Sequence, residues 1–489
     1  MRMVIGEVDE HWRVNTIENV RLPVRLGESV FRTGHLEEKT LQQTEEAFTH
    51  FRHMADRFHV RDLRAVATSA AREAANSALM LERVLRTSGI EIEIISGEEE
   101  ARLIHTAVLH VLDLQNKRTL LIDIGGGSIE VTVSTGRTIL STDSFPMGTV
   151  RLLEKLNGTQ NTKRQFGNLV REYAEAARFR IDQGLGDQQI QVCAGTGGNV
   201  EEIGRLRQKL LKAESDHFVT LSELEQLIER FESMTYEERM WKLKLRADRA
   251  DVILPASIVL HLIAREAGIK QIAIPHVGLK DGILLDIADV LSKRLNLRRS
   301  EQARESALQM GRKYQFDENH ARIASRLATR LFEQTKSLHN LEDSYCLLLE
   351  IAALLHDLGH FIGSLDHDKH GYYLLTATRL IGLSQREQNI VANLVRYHRK
   401  QSPSTEDENF KSLPEKDRLV VTKLAVLLRL ADSLDISHLG NITDVTLRET
   451  KAGWHMKLPV RNDQMLVNWA FDKRKSRFKE VFGVNLEMD

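Results

Sequence analysis

Residues 120–130 read Leu-Leu-Ile-Asp-Ile-Gly-Gly-Gly-Ser-Ile-Glu. An apolar run reading as a buried strand delivers Asp123 to its carboxyl end. Gly125, Gly126 and Gly127 then let the backbone approach a ligand and turn successive N–H groups inward, which forms an anion-binding concavity. Ser128 adds a hydroxyl. Asp123 is placed to hold Mg²⁺, since hard cations prefer carboxylate oxygens, and Glu130 lies just beyond. Ile129 to Ser134 is again strand-like, so the spacing predicts a hairpin after the glycines and not a helix.

The same device recurs. Cys193-Ala-Gly195-Thr196-Gly197-Gly198-Asn runs a strand into glycines, and Gly278-Leu-Lys-Asp-Gly282 opens a helix. Each is weak alone, but strand–glycine turns repeated in two α/β halves point to a cleft that holds phosphate. Upstream, Met3 to Val8, Leu63 to Thr68 and Ile90 to Ile95 read as strands. Leu41 to Phe58, Ala70 to Thr87 and Glu98 to Leu112 read as helices. That rhythm predicts a mostly parallel sheet in residues 1–115, and residues 116–296 start the pattern again. Thr220 and Glu223 form a capping box. Ser292 to Glu301 reads as a polar linker, 302–440 as helix upon helix, and 441–489 as a small α+β cap.

Bulk properties narrow the class. A chain of 489 residues has room for three or four domains. Its two cysteines, Cys193 and Cys346, exclude a disulfide framework and fit a reducing cytoplasm. No apolar run reaches the roughly 18 residues of a membrane helix, and the N-terminus lacks the shape of a signal peptide. A net charge of −1 argues against broad nucleic-acid binding. Basic residues cluster at Lys293, Arg294, Arg298 and Arg299, at Arg396, His398, Arg399 and Lys400, and at Lys473–Lys479. Solvated helix faces and a path for a long polyanion both fit these clusters.

The helical part carries His320, His356-Asp357, His370, His398 and Asp432. His320 shares a face with Ile323, Ala324 and Leu327, and Asp432 with Leu428 and Ala425, so ligand-type side chains point into a bundle core. Unpaired charge is costly there, and a metal ion satisfies it. Imidazole plus carboxylate suits Mn, Fe, Zn or Co. The order His … His-Asp … His … His … Asp resembles HD-domain phosphohydrolases, which implies a second divalent metal in an HD-type helical domain.

Across nearly the whole chain the sequence resembles the exopolyphosphatase / guanosine pentaphosphate phosphohydrolase family. The residues carrying this are Ala65-Val-Ala-Thr-Ser-Ala-Ala-Arg72-Glu, Ile94-Ile-Ser-Gly-Glu-Glu-Glu100-Ala-Arg-Leu-Ile, Ile122-Asp-Ile-Gly-Gly-Gly-Ser128, Pro146-Met-Gly148-Thr and Arg246-Ala-Asp-Arg-Ala-Asp-Val-Ile-Leu-Pro255. The resemblance implies an α/β fold with two actin-like (ribonuclease H-like) domains, 1–115 and 116–296. An all-helical HD-type domain, 297–440, and the cap, 441–489, complete the chain. It also implies a homodimer and hydrolysis of terminal phosphoanhydride bonds, with inorganic polyphosphate or guanosine pentaphosphate as substrate. Glu100 matches the glutamate that activates water, Arg72 a phosphate-contacting arginine, and Asp123 and Glu130 residues near Mg²⁺. Gly125, Gly126, Gly127 and Ser128 match the phosphate loop. Glu98 and Glu99 read as first-turn acids favoured by the helix dipole. One departure stands out: Met1 to Val8 resembles the segment immediately after the family's first strand and phosphate loop. A central strand is therefore expected to be missing from the given chain, through a start placed too far downstream or in a protein that senses phosphate without cleaving it.

Overall fold

The computed structural model describes all residues except 10–12, 157–166, 169, 173–174, 176–188, 292–294, 400, 451–452, 460–464 and 489. The chain forms two compact units, Met1–Asn296 and Leu297–Asp489.

In the first unit β1 (Arg2–Val8) pairs antiparallel with β2 (Val14–Arg21), and β3 (Ala65–Ala67) pairs in parallel with β4 (Ile92–Ile94). Among the described residues no ladder joins the two pairs. The second half is built on β5 (Arg118–Ile124), β6 (Ile129–Thr135), β7 (Thr138–Phe145), β8 (Val192–Thr196), β9 (Phe218–Thr220) and β10 (Gln271–Ala273). They form one sheet in the order β7-β6-β5-β8-β10-β9. The hairpin expected after the glycines is β5–β6, antiparallel, while β5–β8 is parallel.

Because β5 is covered on both faces, Leu120, Leu121 and Ile122 are apolar in succession rather than in alternation. Leu120, Ile122 and Ile124 pack toward Val200, Ile253 and Leu260. Leu121 faces the other way, onto Ile104 and Val108 of the helix Gly97–Val111. Register then sets chemistry: Asp123 lies opposite Glu130 on one neighbour and Thr196 on the other.

Helix Gly97–Val111 is fixed at its start by Ser96, whose hydroxyl accepts from the Glu99 N–H at 3.3 Å. It is fixed along its side by the helix Leu279–Leu291. A Cβ on Gly282 would sit 2.0 Å from the Leu103 carbonyl oxygen, so this glycine serves close backbone packing. The Gly278 N–H donates to the Asp281 carboxylate at 2.8 Å. The glycines at 278 and 282 thus have local structural duties. Between the same helices Arg102 binds Glu99 and Asp286 at 2.7 and 2.9 Å, and Arg64 binds Asp286 at 2.7 Å. Glu99 is therefore an ion-pair partner as well as a first-turn acid. Asp286→Ala is expected to lower unfolding free energy by about 1–3 kcal/mol, because it removes the buried carboxylate that Arg102 and Arg64 share while Glu99 still holds Arg102. A loss below about 1 kcal/mol in chemical denaturation would contradict that account.

The single helix expected over Ala70 to Thr87 is broken into Ser69–Glu73 and Ser77–Ser88. Asn76 interrupts it: its side chain accepts from the Leu36 N–H and donates to the Leu36 carbonyl, both at 2.9 Å. Such local side-chain bonding competes with helix continuation.

In the second unit the helices Glu318–Gln334, Ser344–Leu355, Gln385–Arg396 and Glu415–Leu434 share one apolar core. The linker reading of 292–301 does not hold for its C-terminal part, since a helix spans Leu295–Lys313. There Arg299 donates to the Gly382 carbonyl at 2.8 Å and to Glu387 at 2.7 Å. Residues Thr446–Thr450, Gly453–Lys457 and Leu486–Met488 form a three-stranded sheet beside the helix Met465–Phe482. Its Trp454, Met456 and Phe478 join the bundle core.

Lys293, Arg294 and Lys400 lie outside the described residues. Arg396 and His398 are buried, and Arg396 is paired with Asp368, so that cluster is no open basic track. Arg474, Lys475 and Arg477 each pair with carboxylates. Among the described residues no helix is long and apolar enough to cross a membrane.

Candidate functional site

Glu100, Asp123 and Glu130 converge in the first unit, with one carboxylate oxygen of each within 4.8 Å of the others. All three are buried. Asp123 is held by the Thr196 hydroxyl at 2.6 Å and Glu130 by the Ser144 hydroxyl at 2.9 Å. One oxygen of Glu100 and one of Glu130 are buried without any partner. Burial first, then the charges of Glu130 and Asp123, push the Glu100 carboxyl up to about 9 against the pull of Arg72. Burial and Asp123 push Glu130 up to about 7, and burial raises Asp123 as well. Three converging acids, two of them with an orphaned oxygen, suit a divalent cation, which would supply the opposite charge the protein withholds. Arg72 is anchored by donating to the Ile95 carbonyl at 2.5 Å.

The glycine turn beside them is locked from behind. Gly148, Thr149 and Val150 donate their N–H groups to the carbonyls of Gly127, Gly125 and Gly126 at 3.2, 3.1 and 2.9 Å. Arg151 adds a side-chain bond to the Gly127 carbonyl at 2.7 Å. The Gly125 N–H bonds the Ser128 carbonyl at 3.1 Å, whereas those of Gly126, Gly127 and Ser128 have no acceptor among the described residues. Gly148 and Arg151 were not read as site residues. The Pro-Met-Gly-Thr motif was the available signal.

At the second turn Gly197 adopts φ 96°, a region favouring glycine. A Cβ on Gly198 would meet the guanidinium groups of Arg249 and Arg2 at 2.2 and 2.7 Å. Burial, then Arg2 and Arg21, lower the Arg249 pKa from its ordinary value. Gly195 is enclosed by Val200 and Ile272. The turn therefore presents Thr196 to Asp123 and gathers positive charge at Gly198.

In the second unit His320, His356 and Asp432 converge, as do Asp357, His360 and His367. His398 reaches the latter group, with its Nε2 3.1 Å from that of His367. His370 belongs to neither group: it is half-buried and its Nδ1 lacks a partner. His367, one turn earlier on the helix His367–Ala377, stands where His370 was expected. A His-x-x-His pair on one helix leaves the choice between turns open in the sequence. Asp435, which bonds His320 Nδ1 at 2.8 Å, was also missed.

A strand-end aspartate, a locked glycine turn and a facing glutamate define a phosphoryl-handling α/β enzyme. The chain belongs to the Ppx/GppA phosphatase family, whose profile matches residues 4–291, with the family's domain III profile matching residues 303–473. It is thus a hydrolase of phosphoanhydride bonds. Among curated relatives it is 26% identical over 426 residues to a guanosine-5'-triphosphate,3'-diphosphate pyrophosphatase of Photobacterium profundum, covering 85% of this chain and 80% of that protein. One from Aliivibrio fischeri is 24% identical, with 92% and 94% covered. Among solved structures it is similar to an exopolyphosphatase from Cytophaga hutchinsonii, with a TM-score of 0.56, 21% identity, and 59% of this chain and 94% of that one covered. A Ppx/GppA family member from Aquifex aeolicus gives 0.51 and 24%, with 60% and 94% covered. At these identities the structural likeness speaks for the fold.

Proposed function

We propose that the chain releases orthophosphate from the end of a linear phosphoanhydride, with inorganic polyphosphate as the first substrate. The carrying observation is the buried, partly unpartnered Glu100 carboxylate within 4.8 Å of Asp123 and Glu130, at the rim of a turn with idle amides.

In this reading Glu100 orients a water and takes its proton. The water oxygen bonds to the terminal phosphorus, the bridging P–O bond breaks, and the electron pair stays on the shortened chain. The Gly126, Gly127 and Ser128 amides and Arg72 receive charge that spreads over the phosphoryl oxygens in a loose transition state. Asp123 and Glu130 would hold Mg²⁺, which when bound supplies charge neutralisation to the phosphoryl group. Arg249 and Arg2 at Gly198 suit further phosphates of a chain, and their crowding favours a polyvalent anion over a single one. In the helical unit we assign one divalent cation to His320, His356, Asp357 and Asp432.

A second reading, removal of the 5′-terminal phosphate of guanosine pentaphosphate, is favoured by the names of the two curated relatives. Phosphate release measured side by side separates the readings. Polyphosphate should show the higher kcat/KM, and Arg249→Ala should raise its KM about tenfold more than that for the nucleotide. The reverse order selects the nucleotide, and release from neither removes both readings.

A further inference from the structure

In the first unit, away from the acid cluster at Glu100, Asp216, His217 and His276 bring one ligand atom each within 4.8 Å of one another. The sheet register makes this meeting. β10 pairs antiparallel with β9, with Ala273 opposite Phe218. The Ile274 N–H continues the ladder by donating to the His217 carbonyl at 2.6 Å. The chain just after β10 thereby lies beside the chain just before β9. A bend at Asp216 and His217 lets both side chains turn to one side, where an extended strand would send them apart. The rings of His217 and His276 stand edge to face, their centroids 5.0 Å apart.

The bend is held in place from behind. The Arg207 guanidinium donates to the Ser215 carbonyl at 2.6 Å and stacks on the Phe218 ring at 4.1 Å. The Ser215 hydroxyl accepts from the His217 N–H at 3.1 Å. A Cβ on Gly204 would lie 2.4 Å from the Asp216 carbonyl oxygen, so the helix Gly198–Leu211 runs directly against the bend. On the other side His276 holds φ 55°, a conformation that costs a side-chain-bearing residue energy and that its surroundings must enforce.

The spacing of the polar atoms is informative. His276 Nε2 is buried without a hydrogen-bond partner, although Asp216 Oδ1 lies 3.5 Å away. A charge-assisted bond would draw nitrogen and oxygen to about 2.7–2.9 Å. Two ligand atoms each about 2.1 Å from a tetrahedral ion stand about 3.4 Å apart. The observed separation is that of two ligands of one ion. Two imidazoles and a carboxylate suit Zn²⁺ and its first-row neighbours, whereas Mg²⁺ prefers oxygen ligands. The side chains of His276 and Asp216 are 31% and 33% exposed, which leaves room for water as a fourth ligand.

We propose that Asp216, His217 and His276 bind one zinc-class ion that fastens the chain after β10 to the chain before β9. The segment pinned in this way leads through Gly278 into the helix Leu279–Leu291. Gly282 of that helix meets the Leu103 backbone on the helix bearing Glu100. The ion stiffens a support of that helix and takes no part in phosphate release.

Full-length protein stripped of metal by a chelator would be loaded with Zn²⁺ in the presence of excess Mg²⁺, dialysed and measured for bound zinc. His217→Ala and His276→Ala should each hold one zinc per chain fewer than the parent. His53→Ala, at an exposed position of the helix Glu38–Arg57, should hold as many as the parent. Any zinc taken by the helical unit is common to all of these proteins, so the difference reads this site alone. Asp216→Asn should weaken binding here by at least about tenfold. Zinc should slow amide exchange in residues 214–218 and 274–278 of the parent and leave it unchanged in His217→Ala. His217 is exposed, so its replacement leaves the core intact. Equal zinc in the parent and both histidine variants, or a loss confined to one of them, overturns the site. Zinc bound here without slower exchange overturns the clamp.

Discussion

Replacing Glu100 by glutamine is expected to lower phosphate release by about 10²–10⁴-fold, the usual contribution of a positioned general base, while making the cation-free protein more stable. The two effects have one cause. Glu100, with a carboxyl pushed up to about 9, stands among acids whose pKa values are also raised. In the unfolded chain its pKa is near the ordinary 4.5. Between those values the folded protein binds more protons than the unfolded one. Stability therefore falls as pH rises from about 4.5 toward 9, with Glu130 contributing up to about 7. Glutamine removes one charge from that conflict. Thermal unfolding of the cation-free variant at pH 8 should lie at least about 2–4 °C above the parent. Its stability should depend less on pH, and added Mg²⁺ should stabilise it less. Unchanged turnover would remove Glu100 from the reaction, and a variant less stable than the parent at pH 8 would refute the electrostatic account.

Gly148→Ala is expected to cost at least about 3 kcal/mol and to disable the phosphate turn. The added Cβ would lie 2.3 Å from the backbone N and carbonyl C of Gly127 and 2.4 Å from the carbonyl C of Gly126. None of these is the end of a flexible side chain, so the backbone itself must withdraw. The three N–H bonds from Gly148, Thr149 and Val150 into the turn would go with it. Such overpacking typically costs about 1–3 kcal/mol, and lost backbone bonds add to it. Gly278→Ala is the control: nothing lies within 4 Å of its Cβ, so its cost should stay below about 1 kcal/mol. Denaturant titration of both variants, with KM and kcat, separates loss of the turn from general loosening. Equal costs would discard the close-approach argument.

The sequence disclosed most where one residue type serves one purpose. Asp123, three glycines and Ser128 announced a strand end facing an anion, and the apolar runs on either side implied the β5–β6 hairpin. That Glu100 would meet Asp123 and Glu130 came from family resemblance, since sequence spacing carries no information about which helix closes over which strand. Features set by distant partners stayed hidden. Asn76 breaks a helix because of Leu36, forty residues away. Gly282 resembled a ligand-binding glycine, yet it answers to the Leu103 backbone. His367 and His370 are equivalent on paper, and only the packing of the helix His367–Ala377 decides which of them meets His398.

The locked turn at Gly125–Ser128 has a consequence for the resting enzyme. Its carbonyls are saturated by the chain behind it, so it cannot relax by rotating its idle donors toward the protein. A buried donor without an acceptor costs roughly 1–3 kcal/mol, and with Gly127 and Ser128 buried and Gly126 exposed the turn favours any oxygen, of solvent or of an oxyanion, that meets its amides. Each catalytic cycle is then an exchange of guests at a standing receptor, and the orthophosphate just made is itself a competent guest.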